Sequence, residues 1–243
     1  MTWQQDTAAV IPCLNEESTI RWLVPLVQRH VNAVCVIDDG SQDGTAQAAE
    51  NAGAQVIRHT SSRGKGAALR AGWRWARTQG YVWALALDGD GQHAPADIPS
   101  FFRRAESSNA TLTVGNRMGD AGKMPFPRRL VNRWMSRRLS GLVGRELPDS
   151  QCGYRLMHLA SFAALPITTT HFEIESEVLA AFVRAGHRVE FVPISVIYKS
   201  ERSKIQPLRD SWRWFRWWRL MKSPASASQP KLEIGAQPSV ADA

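Results

Sequence analysis

Nowhere in the 243 residues do the ~18 consecutive apolar side chains of a bilayer-spanning helix occur. The best run, Val189 to Tyr198, is interrupted by Pro193, which excludes an integral span. The amino terminus, MTWQQDTAAVIPC, lacks both a basic stretch and an unbroken apolar core, and Pro12 falls where a signal helix would continue. The chain is therefore expected to stay in the cytosol. Cysteine is scarce: Cys13, Cys35 and Cys152 are widely spaced, with no C-x-x-C pair to suggest zinc or redox work, so buried reduced thiols are expected. Two phosphate-binding signatures are also missing. Arg63-Gly64-Lys65-Gly66 resembles a phosphate cradle but lacks the G-x-x-x-x-G-K-[ST] spacing, and no G-x-G-x-x-G follows the first apolar run. Kinase, ATPase and dinucleotide oxidoreductase chemistry lose ground accordingly.

What is present describes a globular domain. Apolar residues make up 44% and charged residues 21%, so a buried core is attainable and wholesale disorder is not expected. The net charge of +8 is concentrated rather than spread. From Arg117 to Arg145 eight basic residues face the single acid Asp120, and from Lys199 to Lys222 eight face Glu201 and Asp210, which leaves the rest of the chain net acidic. Two basic, tryptophan-bearing segments on an acidic body imply an anionic partner on one side: a phospholipid surface, a phosphorylated substrate or nucleic acid.

Apolar runs at Thr7 to Cys13, Val34 to Ile37, Ala54 to Ile57 and Val82 to Leu87 read as strands, most of them followed by a polar loop and a helical pattern. Thr111 to Val114 reads as another strand and Phe126 to Leu142 as an amphipathic helix. Short strand patterns return around Cys152 to Met157 and Arg188 to Tyr198, on either side of a helix near Glu173 to Ala185. This alternation predicts an α/β fold, a mostly parallel sheet flanked by helices with functional loops at the carboxyl ends of its strands. Residues 223–243, rich in Pro, Ser, Ala and Gln, are expected to form a disordered tail.

The sharpest chemical feature is Asp88-Gly89-Asp90-Gly91-Gln92 at the end of the fourth strand. Alternating carboxylates in a glycine-flanked turn, with a nearby carbonyl, suit a hard divalent cation whose shell is completed by substrate phosphates, so Mg²⁺ or Mn²⁺ fits. Asp38 and Asp39 also end a strand, where a carboxylate can accept an N–H of a nucleobase.

In order along the chain, VIPCLNEE at 10–17, VIDDGSQDGT at 36–45, RGKG at 63–66, LDGDGQH at 87–93, GNR at 115–117, DSQCGYR at 149–155 and FEIE at 172–175 closely resemble family 2 glycosyltransferases. The resemblance is strongest to the branch of dolichyl-phosphate mannosyltransferase and bacterial polyprenyl-phosphate glycosyltransferases. It implies a GT-A fold over residues 1–206 and metal-dependent, inverting transfer from a nucleotide-sugar donor. By motif position Pro12, Leu14, Glu16 and Asp38 would line the nucleoside pocket with Asp39 beside them, and Asp88, Asp90 and Gln92 would hold metal and diphosphate. Arg117, Arg128 and Asn132 would meet the phosphate of a lipid acceptor, with Asn132 where a serine is often found. Ser203 and Lys204 match a late S-K motif that closes over the diphosphate, where Lys204 and Arg117 would neutralise the leaving group. Were the acceptor a hydroxyl instead, Asp149 would be the base by motif position.

Residues 207–222 form a separate amphipathic pattern. Helical projection puts Arg209, Arg213, Arg216 and Arg219 on one side and Trp214, Phe215, Trp217, Trp218 and Met221 on the other, as in a helix lying on an anionic membrane surface. Peripheral attachment to the cytoplasmic leaflet is expected. A nucleotidyltransferase would share the nucleotide pocket and the metal carboxylates. A nucleic-acid-binding module would leave the acidic strand ends unexplained, so no nucleic acid partner is expected.

Overall fold

A computed structural model describes residues 2–119, 124–197 and 207–222. In chain order the elements are α1 (Trp3–Asp6), β1 (Thr7–Cys13), α2 (Glu17–Gln28), β2 (Ala33–Asp38), α3 (Thr45–Asn51), β3 (Gln55–Arg58), α4 (Lys65–Thr78) and β4 (Trp83–Ala86). They continue with α5 (Ile98–Ser108), β5 (Leu112–Asn116), α6 (Phe126–Val143), β6 (Arg155–His158), α7 (Leu159–Ala163), α8 (Ile174–Arg184), β7 (Val189–Pro193) and α9 (Pro207–Met221). The seven strands make one sheet in the order β3-β2-β1-β4-β6-β5-β7, all neighbours parallel except where β6 runs antiparallel between β4 and β5.

The centre of the sheet is apolar on both faces. Ala8, Ala9, Val10 and Ile11 of β1 are fully buried, as are Cys35, Val36 and Ile37 of β2 and Ala84 and Leu85 of β4. Continuous apolar runs of this kind belong to strands covered by helices on two sides. The chain leaves β1 toward β2 and β3, then returns to place β4 on β1's other flank. A reversal of strand order opens a crevice at the carboxyl ends of the two neighbours, the usual ligand position in such sheets. The loops after Cys13 and Ala86 open there.

Three helices escape the sequence reading, α5 and the short α1 and α7. In α5, Ile98, Phe101, Phe102 and Ala105 are buried at helical spacing behind the two prolines Pro95 and Pro99. The strand expected over 188–198 ends at Pro193, and farther on Val196 makes an isolated antiparallel bridge to His93.

The carboxyl-terminal helix corrects the expectation most. Trp214, Trp217 and Trp218, expected to face lipid, are instead buried against the protein. The Trp214 indole N–H donates to Ser176 Oγ of α8 at 2.8 Å, its ring lies 5.5 Å from that of Trp134 on α6, and the Trp218 N–H donates to the Arg138 carbonyl at 3.4 Å. Burial of three indoles outweighs the amphipathic pattern, because each removes large apolar area from water and losing one such ring costs about 3–5 kcal/mol. The aromatics that stay exposed on α9 are Trp212 and Phe215.

Candidate active site

The first wall of the crevice is a pair of interlocked turns. After β1, Asn15 takes a left-handed backbone (φ 53°), a conformation asparagine tolerates better than most residues. Its N–H donates to Ser41 Oγ and its Oδ1 accepts the Gln42 N–H, both at 2.8 Å, while the Glu16 N–H donates to Thr45 Oγ1 at 2.8 Å. A cavity of about 780 Å³ opens here, lined among others by Leu14, Ser41, Arg58 and His59. Asp38 is fully buried at the end of β2: Oδ1 accepts the Ser41 N–H at 2.8 Å, whereas Oδ2, 3.3 Å from Arg58 Nε, makes no hydrogen bond among the described residues. Of the expected nucleoside contacts, Leu14 lines the cavity and Asp38 pairs with the arginine that does. Pro12 and Glu16 do not line it.

Asp39 is engaged by the loop that follows β3. Its carboxylate accepts from His59 Nδ1 (2.7 Å), Ser62 Oγ (2.8 Å) and the N–H groups of Arg63 and Gly64 (both 2.9 Å). Burial pushes its pKa up, but those four donors together hold it below the usual carboxylate range. Through these four hydrogen bonds Asp39 shapes the 59–64 loop. That loop places Lys65 at the first position of α4.

Lys65 reaches across to the second wall, the acidic turn after β4. Its ammonium lies 2.6 Å from Asp88 Oδ1 and 2.7 Å from Glu175 Oε1. Burial pushes the Lys65 pKa down and Asp88's up. The mutual attraction of the ion pairs prevails in both, so Lys65 is raised and Asp88 is held well below the usual carboxylate range. The turn itself is tight: the Asp88 N–H donates to His93 Nδ1 at 3.3 Å and the Gln92 N–H to Asp90 Oδ1 at 3.0 Å. Gly91 has φ +67°, and a Cβ there would stand 2.6 Å from the Trp22 ring, so only glycine fits. His93 is buried and stacked on Tyr154 at 5.0 Å, and burial pulls its pKa down despite the pull of Asp88 and Asp90.

Among the described residues no three His, Cys, Asp or Glu side chains gather into a metal cage. What the turn offers is smaller. Asp88 Oδ2 carries no hydrogen bond among the described residues on a side chain 27% exposed, and Asp90 and Gln92 are half-buried beside it. A few hard oxygen donors of this kind fit a divalent ion that keeps most of its shell for phosphate oxygens and water.

The third wall joins β5, α6 and the loop before β6. Asp149 is fully buried and accepts five hydrogen bonds: Arg117 Nε (2.7 Å), Nη2 (2.8 Å) and N–H (3.1 Å), Asn132 Nδ2 (3.1 Å) and the Gln151 N–H (3.2 Å). Burial would raise its pKa, yet the bidentate arginine and the other donors hold it below the usual range. A carboxylate so enclosed is badly placed to take a proton from a hydroxyl acceptor, the role that its motif position would give it were the acceptor a hydroxyl. Asn132, expected at an acceptor phosphate, is buried beneath the surface holding Asp149. Arg128 stands half-buried near the start of α6. A second cavity of about 500 Å³ flanks that helix, with Arg133, Arg137 and Arg145 in its lining.

Ser203 and Lys204 lie outside the described residues. Three residues without an assigned role prove central to the geometry. Lys65 and Glu175 were visible in RGKG and FEIE, but their pairing was not. Buried Arg155 donates to the carbonyls of Cys152 (2.8 Å), Glu175 (2.6 Å) and Ser150 (3.1 Å), tying the 149–152 loop to α8.

Comparison with known proteins bears on the family and the fold. The profile described as Glycosyl transferase family 2 matches residues 8–165. The chain is 28% identical over 201 residues to the undecaprenyl-phosphate mannosyltransferase of Micrococcus luteus, covering 77% of this chain and 82% of that one. It is 27% identical over 212 residues to the UDP-N-acetylglucosamine–dolichyl-phosphate N-acetylglucosaminyltransferase of Methanococcus voltae, covering 78% and 84%. Among solved structures, glucosyl-3-phosphoglycerate synthase of Mycobacterium tuberculosis, in complex with Mn²⁺, uridine diphosphate and phosphoglyceric acid, superposes with a TM-score of 0.68 at 20% identity, over 88% of this chain and 76% of that one. The fold is GT-A.

Proposed function

The chain belongs to glycosyl transferase family 2, and from that membership we propose that it transfers a sugar, with inversion, from a nucleotide diphosphosugar to a polyprenyl phosphate at a membrane surface. Relatives named for undecaprenyl-phosphate and dolichyl-phosphate acceptors support the acceptor class. The observation that carries the reading is the enclosure of Asp149. A hydroxyl acceptor needs a base, and the one carboxylate that the motifs offer for the task is locked in five hydrogen bonds. A phosphate oxygen is already ionised near neutral pH and needs none.

Asp88, Asp90 and Gln92 would hold the divalent ion, whose charge offsets that growing on the leaving diphosphate. Arg58, beside Asp38, lines the cavity that receives the nucleoside. Basic side chains along α6, Arg128 and those of the second cavity, orient an anionic acceptor without withdrawing a proton from it. With a donor sugar nucleotide and Mn²⁺, polyprenyl phosphate is expected to be glycosylated at least ~100-fold faster than the matching polyprenol, since a missing general base costs about 10²–10⁴ in rate. Equal rates on the two acceptors would refute the reading.

The surface carries the second half of the proposal. Of nine exposed large apolar residues among those described, seven lie on α6 and α9: Phe126, Leu130, Val131, Trp134, Trp212, Phe215 and Leu220. Arginines alternate with them, and the guanidinium groups of Arg129, Arg138 and Arg216 sit over the rings of Phe126, Trp134 and Trp212 at 5.4, 5.7 and 5.9 Å. The lipid-facing surface we propose is thus shared by two helices, and it is not the face of α9 that holds the buried tryptophans. No helix among the described residues is long and apolar enough to cross a membrane. Replacing Leu130, Trp212 and Leu220 by serine is expected to cut flotation with phosphatidylglycerol vesicles at least ~10-fold, as each large side chain returned to water forfeits about 1.5–3 kcal/mol. Unchanged flotation would remove this surface from the account.

A further inference from the structure

We propose that Trp214 of α9 is a positioning residue for the transfer reaction: through Ser176 and Gln151 its indole N–H braces the loop that holds Asp149 against Arg117. The carboxyl-terminal helix then has two tasks, since its outer face carries Trp212, Phe215 and Leu220 while its inner face supports the site. The effect on rate rests on the proposed function; the brace itself does not.

A buried series of hydrogen bonds joins α9, α8, the loop before β6 and α6. The Trp214 N–H donates to Ser176 Oγ on α8 at 2.8 Å, and the Gln151 amide donates to the same oxygen at 2.7 Å and to Ser150 Oγ at 2.8 Å. Both amide hydrogens of Gln151 are thereby used. Farther along, the Ser136 hydroxyl of α6 donates to Ser150 Oγ at 3.1 Å and accepts the Ser150 N–H at 2.9 Å. Ser136, Ser150, Ser176 and Trp214 are each at most 3% exposed, away from the bulk water that could replace a lost partner.

These bonds end where the site begins. The backbone N–H of Gln151 donates to Asp149 Oδ1 at 3.2 Å, the oxygen that also receives Arg117 Nη2 at 2.8 Å and Asn132 Nδ2 at 3.1 Å. Gln151 thus sets its backbone against the Asp149–Arg117 pair and its side chain on the serine that Trp214 grips. Ser176 also follows Glu175 directly, the residue whose carboxylate lies 2.7 Å from the Lys65 ammonium. The neighbouring inward indoles of α9 make no such link. Trp218 donates to the Arg138 carbonyl, and the buried Trp217 N–H has no hydrogen-bond partner among the described residues.

Trp217 supplies the control. Trp214→Phe and Trp217→Phe remove the same atoms from the same helix, but only the first removes the bond to Ser176. Amide hydrogen exchange of the full chain is expected to run about fivefold faster at residues 149–152 in Trp214→Phe, the scale of one lost neutral hydrogen bond, and within about twofold of the parent in Trp217→Phe. With polyprenyl phosphate as acceptor, kcat is expected to fall by a similar factor in Trp214→Phe alone, well below the melting temperature, where a variant that is merely less stable stays folded and turns over like the parent. Ser176→Ala removes the acceptor, and adding Trp214→Phe to it is expected to slow turnover by less than about twofold more. Should Trp214→Phe fold poorly, Ser176→Ala keeps every ring and is expected to show the same faster exchange and slower turnover. Equal exchange at 149–152 in the two tryptophan variants, losses that multiply in the double variant, or faster exchange with an unchanged kcat would each overturn the inference. A parent protein that transfers no sugar, with the exchange difference intact, would instead count against the proposed function itself.

Discussion

Replacing Asp88 by asparagine is expected to lower kcat/KM for sugar transfer by about 10²–10³, with little change in melting temperature. The magnitude is that of removing one preorganised electrostatic contact from a site where charge develops. The small structural effect follows from the neighbours. Lys65 keeps Glu175 at 2.7 Å when the Asp88 charge is gone, so no buried ammonium is left alone. The amide can still occupy the volume next to Gly153. The loss should persist at saturating sugar nucleotide and ease only partly as Mn²⁺ is raised, because the variant lacks the anionic oxygen rather than the space for the ion. Initial rates over a grid of donor and Mn²⁺ concentrations check this, and a change of less than tenfold would place Asp88 outside the donor site.

Asp149→Asn is expected to act mainly on stability. The substitution removes the carboxylate charge that the buried Arg117 guanidinium now binds bidentately at 2.7 and 2.8 Å. Breaking a buried pair in this way costs about 3–5 kcal/mol, or a fall in melting temperature on the order of 10 °C for a chain of this length. The pH dependence has a definite sign. The folded-state pKa of Asp149 is depressed, so its contribution is complete above the unfolded value of about 3.9 and is lost as pH falls through the lower, folded value. The gap between parent and variant should therefore be widest near neutrality and close in acid. Thermal melts from pH 7 down to pH 3 read this directly. An unchanged melting temperature together with abolished turnover would restore Asp149 as a catalytic base.

Much of this architecture was legible in the sequence because a buried parallel strand writes itself as an apolar run that stops at a polar loop. Thr7–Cys13, Ala33–Asp38 and Trp83–Ala86 do so, and each is followed by the turn that carries chemistry. Strand direction is not written in the same way: nothing in Arg155–His158 shows that it runs antiparallel between β4 and β5, which only its neighbours decide. The same limit governs side chains. Asp38 and Asp39 are adjacent and alike in sequence, yet alternation along the strand end sends one toward Arg58 and the other into the 59–64 loop. Asp149 looked like a base for want of any sign of Arg117 and Asn132 closing over it, since the three meet across 32 and 17 residues of chain. On α9 the amphipathic pattern was visible, but which aromatics turn inward depends on α6 and α8, elements distant in sequence.

The account depends on a cation-assisted donor site at the carboxyl ends of β1 and β4, and isothermal titration calorimetry of the purified protein with UDP- and GDP-sugars probes it most directly. Saturable binding of one nucleotide sugar that strengthens at least ~10-fold when Mn²⁺ is added, and loses that gain in Asp88→Asn, is the predicted result. Binding indifferent to Mn²⁺, or no binding of any sugar nucleotide, would contradict it.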